Sequence, residues 1–473
     1  MNSNCPWQQY ERAHIPDESA RIQAALADDV DKIVVLDDDP TGCQTVHDIR
    51  VLFQWDEASL RGALTSSDKL FYVLTNIRSL SAAEAEARHW QVATRLSALA
   101  SELGVRLHII SRSDSTLRGH FPADLRPFWS VGGKRGFDAI LLIPAFFEGG
   151  RYTFHGTHYV RQGENCVPAD ETEFARDKAF GFQSSYLPAW VAEKWPEQAG
   201  KVEVLGLETI RRGEEAVATF LAQATHLLVI SVDAVDYHDL EIVALACLAQ
   251  QRRGQEFLIR SAASFVRVYG GISAQALLRA EELVPPGRIG GLVMVGSYVS
   301  KTTSQLAQLL ELEDLVPVEL DVEKIVHGEL AAEVSRAIDK ISAELAMGND
   351  VVCYTSRKLF EAATATESLQ VGRVVADAVN GVVKFLDTRP SFLIAKGGIT
   401  SHEVAELGLG VQSALVTGQI SAGVPVWELG PESKWPGLPY VVFPGNVGNE
   451  DSLRHVVEGF RAARRRESIK SFK

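Results

Sequence analysis

Short runs of apolar, mostly β-branched residues recur along the chain, and polar residues follow each run. Continuous apolar runs are typical of strands buried on both faces of a parallel sheet. Helical stretches separate several runs; in one of them Ser81 and Glu84 have capping-box spacing, and Gly104 is placed to end the helix. The alternation predicts three-layer α/β domains with mostly parallel sheets. The runs begin at Lys32, Leu70, Leu107, Ala139, His226 and Phe257, and later at Gly291, Asp350, Phe392 and Tyr440.

A break rich in proline and glycine divides this pattern in two. Residues 282–291 read ELVPPGRIGG, and the alternation of strands and helices restarts after them. We therefore predict a helical extension over residues 1–31, one α/β domain over residues 32–284 and a second over residues 285–473. The basic tail that starts at Phe460 predicts a terminal helix exposed to solvent.

Composition and charge narrow the class of protein. Hydrophobic residues make up 46% of the 473 residues, which is enough for a sizeable core and excludes a disordered chain. The net charge of -14 argues against nucleic acid or an anionic membrane as the main partner. No apolar run reaches the roughly 18 residues of a membrane helix, and the N-terminus lacks a signal-peptide pattern, so we expect a cytoplasmic protein. The five scattered cysteines predict no disulfide framework.

Candidate binding residues follow the apolar runs of the first domain. In parallel α/β sheets, ligands bind beyond the carboxyl ends of the strands. Arginine binds a carboxylate through two parallel hydrogen bonds, and aspartate accepts hydrogen bonds from hydroxyl groups. The combination therefore suits a small anionic ligand with several hydroxyl groups. The residues of this kind are Asp37, Asp38, Asp39, Thr41, Asn76, Arg78, Arg112, Asp114, Ser115, Thr116 and Arg118.

The acidic motif also allows a second hypothesis. Asp37 and Asp39 ahead of Thr41 match the opening motif of haloacid-dehalogenase-type phosphohydrolases. In those enzymes the first aspartate is a nucleophile and the second a general acid, beside Mg²⁺. Gly42 stands where they prefer an apolar residue.

Three other reactive side chains are interpreted as structural. His155 and His158 could ligate a metal ion, but their setting favours an exposed polar turn. Cys43 follows the acidic motif without an identifiable histidine partner, so we expect a packed small side chain rather than a nucleophile.

Three glycine-bearing strand ends mark the second domain. Glycines allow a phosphate to approach the backbone, and a helix N-terminus offers free N–H groups. Such donors bind anions without formal positive charge. The usual P-loop and dinucleotide-binding fingerprints are absent from the sequence. The strand ends are Gly296-Ser297, with Thr302 and Gln305 at capping-box spacing; Lys396-Gly397-Gly398-Ile399-Thr400, with Thr400 and Glu403 at the same spacing; and Pro444-Gly445-Asn446, before a helix from Asp451.

Together these motifs resemble the four-carbon acid sugar kinase family. The most specific is the element that reads RSDSTLRG here, from Arg112 to Gly119. The family's opening acidic motif is similar to residues 38–42, its T-x-S/T-R element to residues 75–78, and its P-A-F-P-x-x-G-R-x-T stretch to residues 144–153. In the second domain the matching elements are Gly296-Ser297, Gly397 through Ser401, and Pro444 through Gly448.

The resemblance implies a sugar-acid-binding domain, a nucleotide-binding domain and an active site in the cleft between them. It implies an ATP-dependent kinase, with Mg²⁺, that phosphorylates the C4 hydroxyl of an acid such as threonate, erythronate or a 3-oxo-tetronate. Either Asp38 or Asp114 would be the catalytic base. Substrate contacts would map to Asp38, Asp39, Arg78, Arg112, Ser113, Asp114 and Ser115, and ATP contacts to Ser297, Gly397, Gly398, Ile399, Thr400 and Gly445.

Two alternatives stay open beside the kinase. One is the Mg²⁺-dependent phosphohydrolase built on Asp37 and Asp39, and the other is a non-catalytic sensor of sugar acids or nucleotides. Beyond these small molecules we expect no nucleic-acid or membrane partner; a homodimer is the base-rate expectation for the oligomeric state.

Overall fold

The computed structural model describes residues 4–12, 14–27, 31–131, 136–296, 299–357, 365–445 and 447–466. The chain divides into two compact units, Met1–Ala274 and Gln275–Lys473. Both are α/β units with a mostly parallel sheet, as the sequence predicts. The domain limits predicted at residues 31/32 and 284/285 remain predictions.

The main sheet of the first unit is entirely parallel, in the order β2-β3-β1-β4-β11-β5-β10-β9. A separate antiparallel sheet, which we call the small sheet, consists of β6, β7 and β8 and lies between β5 and β9 in the chain. The strands are β1 (Asp31–Asp37), β2 (Ile49–Leu52), β3 (Leu70–Leu74), β4 (Arg106–Arg112), β5 (Ala139–Ile143), β6 (Arg151–Phe154), β7 (Thr157–Gln162), β8 (Asn165–Pro168), β9 (Glu203–Leu205), β10 (Leu228–Val232) and β11 (Phe257–Ser261).

Helices cover the main sheet because its strands are apolar on both faces. Val34 and Leu36 of β1 pack in one core with helical residues such as Leu96, while the intervening Ile33 and Val35 are equally buried. The helices are α1 (Ser19–Ala25), α2 (Glu57–Thr65), α3 (Ala82–Leu103), α4 (Arg126–Val131), α5 (Leu187–Lys194), α6 (Leu207–Ile210), α7 (Glu214–Leu221), α8 (Tyr237–Arg252) and α9 (Ala263–Tyr269).

The caps predicted for α3 are confirmed. The Ser81 side chain accepts from the Glu84 N–H, and the Glu84 carboxylate accepts from the Ser81 N–H. Gly104 ends the helix at a φ of 68°, in the left-handed region that favours glycine.

The N-terminal segment is fastened to the small sheet. Cys5 forms a disulfide with Cys166 of β8, and the Asn4 N–H donates to the Glu164 carbonyl at 2.9 Å. Trp7 is buried, with its ring centroid 4.9 Å from that of Tyr152. The expectation of no disulfide is wrong for this pair. The two cysteines are 161 residues apart, and their spacing could not show that the N-terminal segment runs beside β8.

The sheet of the second unit has the order β13-β14-β12-β15-β18-β17-β16. Its first five strands are parallel, and β17 and β16 continue it antiparallel. The strands are β12 (Leu292–Val295), β13 (Leu315–Leu320), β14 (Asp350–Thr355), β15 (Leu393–Lys396), β16 (Ser413–Ser421), β17 (Val424–Leu429) and β18 (Pro439–Phe443). The helices are α10 (Ala280–Leu283), α11 (Ser300–Leu310), α12 (Val322–Lys324), α13 (Leu330–Met347), α14 (Ala365–Phe385), α15 (Gly398–Glu403) and α16 (Ser452–Arg465).

The terminal helix α16 belongs to the core of the second unit, so the prediction of a solvent-exposed helix is wrong. Phe460 stacks on Phe392 with ring centroids 4.5 Å apart. Arg461 and Arg464 reach the fully buried carboxylate of Asp350, at 2.7 and 2.9 Å. Two of the basic residues that suggested a solvated helix, Arg461 and Arg464, therefore serve as counter-ions inside the protein, whereas Arg465 and Arg466 are exposed.

No helix in the described part of the chain combines the length and the apolar character needed to cross a membrane.

We expect the Cys5→Ser/Cys166→Ser double variant to lose about 2–4 kcal/mol of stability, because the disulfide restricts the unfolded chain. Denaturant unfolding of the two proteins checks this. A reductant should lower the wild-type midpoint to that of the variant and leave the variant unchanged. Equal midpoints for the oxidised wild type and the variant would contradict the expectation.

Candidate active site

Three neighbouring strand ends bring the predicted substrate residues together. In the main sheet of the first unit, β1 lies between β3 and β4, and Asp37 pairs with Leu74 on one side and Arg112 on the other. The Asp38 N–H donates to the Arg112 carbonyl at 3.3 Å, and the Arg78 N–H donates to the Asp38 carbonyl at 3.2 Å. The loops after these strands therefore lie against one another, as expected for the carboxyl edge of a parallel sheet.

Arg78 joins the aspartates of two loops. Its Nε donates to Asp38 Oδ2 at 3.1 Å, while Nη2 donates to Asp38 Oδ1. Its Nη1 lies 3.2 Å from Asp39 Oδ2 and 3.4 Å from Asp114 Oδ1. One guanidinium thus balances charge on three carboxylates that would otherwise repel one another.

Asp37 is the innermost carboxyl of this cluster. Arg112 Nη1 lies 3.3 Å from Asp37 Oδ1, and both side chains are buried. Burial, reinforced by the charges of Asp38 and Asp39, raises the pKa of Asp37 to about 8 in spite of Arg112. Asp37 is therefore mostly protonated at neutral pH.

Asp114 is the most strongly held carboxylate. Arg118 donates to it twice, from Nε and Nη2, each at 3.0 Å. The Thr116 N–H donates to Oδ2 at 3.0 Å, and the Thr116 hydroxyl donates to the same oxygen. Burial opposes ionisation, but Arg78 and Arg118 outweigh it and hold the pKa of Asp114 well below its usual range.

Asp39 is held in the same way. Its Oδ1 accepts from the Thr41 N–H at 2.8 Å and from the Thr41 hydroxyl. Burial opposes ionisation here too, but Arg78 and Arg112 keep the pKa of Asp39 below its usual value.

Ser113 and Ser115 lie beside this cluster but have different partners. The Ser113 hydroxyl lies 3.3 Å from Asp124 Oδ2, and that carboxylate forms a buried ion pair with Arg260 at 3.0 Å. The Ser115 carbonyl accepts a hydrogen bond of 2.8 Å from His158 Nε2 on β7. Ser113 thus connects the loop to the buried sheet, and Ser115 connects it to the small sheet.

His158 is a functional candidate that the sequence did not reveal. The expected exposed turn is wrong for this residue, because His158 is fully buried. Burial lowers its pKa to about 4, so the ring is neutral; Nε2–H donates to Ser115 while Nδ1 accepts from the Thr153 hydroxyl at 3.0 Å. His155 is exposed and lies 3.1 Å from Glu208. Only the fold shows that the two histidines of the HGTH motif differ in this way.

Cys43 is buried, as predicted for a packed side chain.

The glycine-bearing strand ends of the second unit also share one edge of a sheet. The Gly397 N–H donates to the Phe443 carbonyl at 2.8 Å. A Cβ on Gly296 would lie 2.7 Å from the Thr400 hydroxyl oxygen, so these two loops are in close contact. Thr302 of α11 lies 3.4 Å from the Gly445 carbonyl. The predicted nucleotide residues in the described part of the chain are thereby grouped, namely Gly397, Gly398, Ile399, Thr400 and Gly445; Ser297 lies outside it.

The predicted helix caps of this edge are wrong. Helix α11 begins at Ser300 and α15 at Gly398, so Thr302 and Thr400 lie inside helices. Gln305 instead donates to the carbonyls of Val447 and Asn449, at 3.0 and 2.7 Å. The polar side chains that looked like caps therefore contact the neighbouring loops.

Lys396 is a second candidate that sequence reasoning missed. It is fully buried, and its Nζ donates to the Pro444 carbonyl at 2.5 Å and lies 4.6 Å from the centre of the Phe443 ring. Burial, together with the charge of Lys301, lowers its pKa to about 7. No carboxylate pairs with it among the residues the structure describes. Its place directly before the double glycine was the available signal.

A resident metal site is not evident in the described ranges, where no three His, Cys, Asp or Glu side chains are placed to hold a metal ion. Mg²⁺ commonly binds proteins through one or two carboxylates and the phosphates of a nucleotide.

Two protein-family models match the chain, one in each unit. A model described as a sugar-binding N-terminal domain matches residues 33–269, and one described as a nucleotide-binding C-terminal domain matches residues 292–453. The protein thus combines a sugar-binding and a nucleotide-binding domain. The chain belongs to the family with this pair of domains, the architecture of four-carbon acid sugar kinases, and the resemblance found in the sequence is confirmed. None of the curated proteins matches the chain.

Solved structures share the fold at low sequence identity. Haemophilus influenzae protein HI1011, of the DUF1537 family, is 18% identical over 90% of this chain and 100% of its own, with a TM-score of 0.60. A Salmonella typhimurium LT2 protein with the provisional name tRNA synthase is 17% identical over 92% and 99%, with a TM-score of 0.66. A DUF1537 protein from Bordetella bronchiseptica, a domain-swapped dimer with bound citrate, is 21% identical over 92% and 100%, with a TM-score of 0.40.

We expect Gly42→Ala to destabilise the protein by about 1–3 kcal/mol, because the added methyl group overpacks the acidic cluster. Its Cβ would lie 1.9 Å from Asp37 Oδ1. Gly62→Ala on α2 is the matched control, since a Cβ there meets nothing within 4 Å. Denaturant unfolding compares the two variants, and equal shifts in their midpoints would contradict the expectation.

Proposed function

We propose that the protein is an ATP-dependent kinase that phosphorylates the terminal hydroxyl of a four-carbon sugar acid. The observation that carries this proposal is the network in which Arg78 binds Asp38 and Asp114 at the strand ends of the sugar-binding domain. Ionised carboxylates and fixed guanidinium groups suit an acid with several hydroxyl groups. The nucleotide-binding domain supplies the second substrate, Mg²⁺–ATP.

Asp38 is the proposed catalytic base. A base with a very low pKa accepts protons poorly, which disfavours Asp114. Asp114 accepts hydrogen bonds from Arg118, Arg78 and Thr116, whereas in the described part of the chain those to Asp38 come from Arg78. Asp38 would take the proton of the C4 hydroxyl while the hydroxyl oxygen attacks the γ-phosphorus of ATP. The bond between that phosphorus and the bridging oxygen breaks, and ADP leaves.

The remaining substrate residues would orient the acceptor. Arg112, Asp39, Ser113 and Ser115 line or brace the same loops, and Arg78 holds the Asp38 carboxylate in place. Phosphoryl transfer depends mainly on positioning of the reactants and on stabilisation of charge. A base with these orienting residues is therefore chemically sufficient on the acceptor side of the reaction.

The nucleotide would be held mainly by backbone groups. Gly397, Gly398, Ile399 and Thr400 open α15, and Gly445 lies in the adjacent loop. The N–H groups of Gly398, Ile399 and Thr400 at the start of this helix, together with Lys396, would supply donors for phosphate oxygens. Ser297 is proposed as a further ATP contact. Transfer also requires the two domains to bring the γ-phosphoryl group and the acceptor hydroxyl together and to exclude water.

The phosphohydrolase alternative is disfavoured by the state of Asp37. A nucleophilic aspartate must be ionised, and the pKa of Asp37 is raised to about 8 by burial. A sensor without catalysis would bind the acid and ATP and release no ADP.

The kinase proposal predicts acid-dependent release of ADP. A panel of threonate, erythronate and 3-oxo-tetronates is assayed with Mg²⁺–ATP, for the wild type, for Asp38→Asn and for the exposed control Asp48→Asn. We expect Asp38→Asn to lower kcat by about 10²–10⁴-fold, because the base is lost, with Asp48→Asn close to the wild type.

Two outcomes would contradict this reading. ATP binding without ADP release for any acid would support the sensor. Full turnover by Asp38→Asn, with loss in Asp114→Asn, would move the base to Asp114.

Asp37→Asn tests the protonation of the buried carboxyl. The pKa of Asp37 is about 8 in the folded state, against a usual value of 3.8, so folding favours the protonated carboxyl. The stability that the protonated carboxyl contributes is fully present below about pH 3.8 and is lost as pH rises through about 8. The wild type should therefore lose stability relative to Asp37→Asn across this window, by at most about 1.4 kcal/mol per pH unit. Denaturant unfolding at a series of pH values measures the difference.

The same variant tests the phosphohydrolase. Asn is a neutral isostere of the protonated acid, so Asp37→Asn should retain kinase turnover. A stability difference that does not change with pH would contradict the protonation. An aspartyl-phosphate on the wild type that is absent from Asp37→Asn would favour the phosphohydrolase.

A further inference from the structure

The arginines at the three strand ends are already paired with carboxylates of the protein. Arg78 binds Asp38, and Arg112 lies 3.6 Å from the same carboxylate. Arg118 forms a two-point ion pair with Asp114. A substrate carboxylate that displaced any of these pairs would leave a buried aspartate without its counter-ion, which is strongly unfavourable. An arginine without a carboxylate partner is therefore the better candidate to bind the acid group of the substrate.

Arg151 of the small sheet has a positive charge that no carboxylate of the described residues pairs with. It is the first residue of β6, and a tight turn holds it: the Arg151 N–H donates to the Phe146 carbonyl at 2.8 Å, and the Phe146 N–H donates back at 3.1 Å. Among the described residues no carboxylate forms an ion pair with Arg151. Its guanidinium donates from Nη1 to the Gly149 carbonyl, while its Nε is buried with no hydrogen-bond partner in the structure.

Arg151 lies beside the acidic cluster. Its guanidinium carbon is 5.5 Å from the centre of the Phe174 ring, and that of Arg118 is 5.1 Å from the same ring. Arg118 in turn holds Asp114, which Arg78 connects to Asp38. A continuous set of contacts therefore leads from Arg151 to the proposed base.

The surroundings of Arg151 favour an anion. Burial lowers the pKa of Arg151, with Arg118 acting in the same direction and Asp114 and Glu173 only partly opposing it. A cation removed from water without a direct counter-ion is costly, and a bound carboxylate would offset that cost through two parallel hydrogen bonds.

We propose that Arg151 binds the carboxylate of the acid substrate and so orients the opposite end of the molecule toward Asp38. The inference rests on the proposed kinase function and names the group that selects acids over neutral polyols. It also gives the small sheet a role, because His158 of this sheet contacts the Ser115 carbonyl and Arg151 shares the Phe174 ring with Arg118.

The test compares acid and neutral acceptors in three variants. Arg151→Met removes the charge, Arg151→Lys keeps it without the planar fork, and Arg161→Met is the control, since Arg161 is an exposed arginine of β7 that lies over the Tyr152 ring. KM and kcat are measured for the best acid and for the four-carbon polyol that lacks its carboxyl group. Binding of the acid is measured separately by calorimetry, and thermal unfolding confirms that each variant is folded.

We expect Arg151→Met to raise KM for the acid by about 100-fold, with kcat near the wild type and with no change for the polyol. Arg151→Lys should recover part of the loss, because an ammonium group lacks the bidentate geometry. Arg161→Met should behave as the wild type.

The outcomes separate this inference from the kinase proposal. If the wild type phosphorylates the acid and folded Arg151→Met keeps its KM and its preference over the polyol, the Arg151 inference is wrong and the kinase stands. If no acid releases ADP but the wild type binds the acid and Arg151→Met does not, the kinase is wrong and Arg151 stands. If the wild type neither binds nor converts any acid, both are overturned.

Discussion

The first unit depends on the removal of carboxylates from water at the end of one strand, where Asp37 and Asp38 are buried and Asp39 is partly buried. Carboxylates cannot lose water without counter-ions, and here the counter-ions come from the adjacent strand ends, Arg78 after β3 and Arg112 at the end of β4. Only a parallel order with β1 in the middle brings both arginines within reach. Where the compensation falls short, at Asp37, the carboxyl takes up a proton instead. The strand order thus decides which counter-ions each carboxyl group can reach.

The candidate phosphate site of the second unit carries little formal charge. Its candidate phosphate site consists of glycine-rich turns at three strand ends and the buried Lys396. The net charge of -14 therefore does not argue against an anionic ligand, because the excess of acidic residues describes the whole chain, whereas ligand binding depends on a few oriented donors.

Sequence patterns were sufficient for the parallel strands, because every predicted apolar run forms a strand and adjacent carboxyl ends collect polar residues. Sequence patterns were insufficient where contacts between distant parts of the chain determine which residues are buried or paired. The small sheet is half-exposed and lacks continuous apolar runs. His158 and Arg464 are polar residues whose burial depends on partners distant in sequence, the Ser115 carbonyl and Asp350. The Cys5–Cys166 disulfide likewise joins segments that only the folded chain brings together. Site residues on the main sheet were therefore foreseeable, and those contributed by the small sheet were not.

The small sheet is an insertion between β5 and β9, and it meets the loop that carries Asp114 and Ser115 through a few side chains. Its strands add nothing to the hydrogen-bond ladder of the main sheet. Exchanging or redesigning this insertion would leave the ladder of the parallel scaffold and its aspartates intact. With the roles proposed above, the groups of the chemistry lie on the main sheet and the group that selects the substrate lies on the insertion, which makes the insertion the natural target for engineering selectivity.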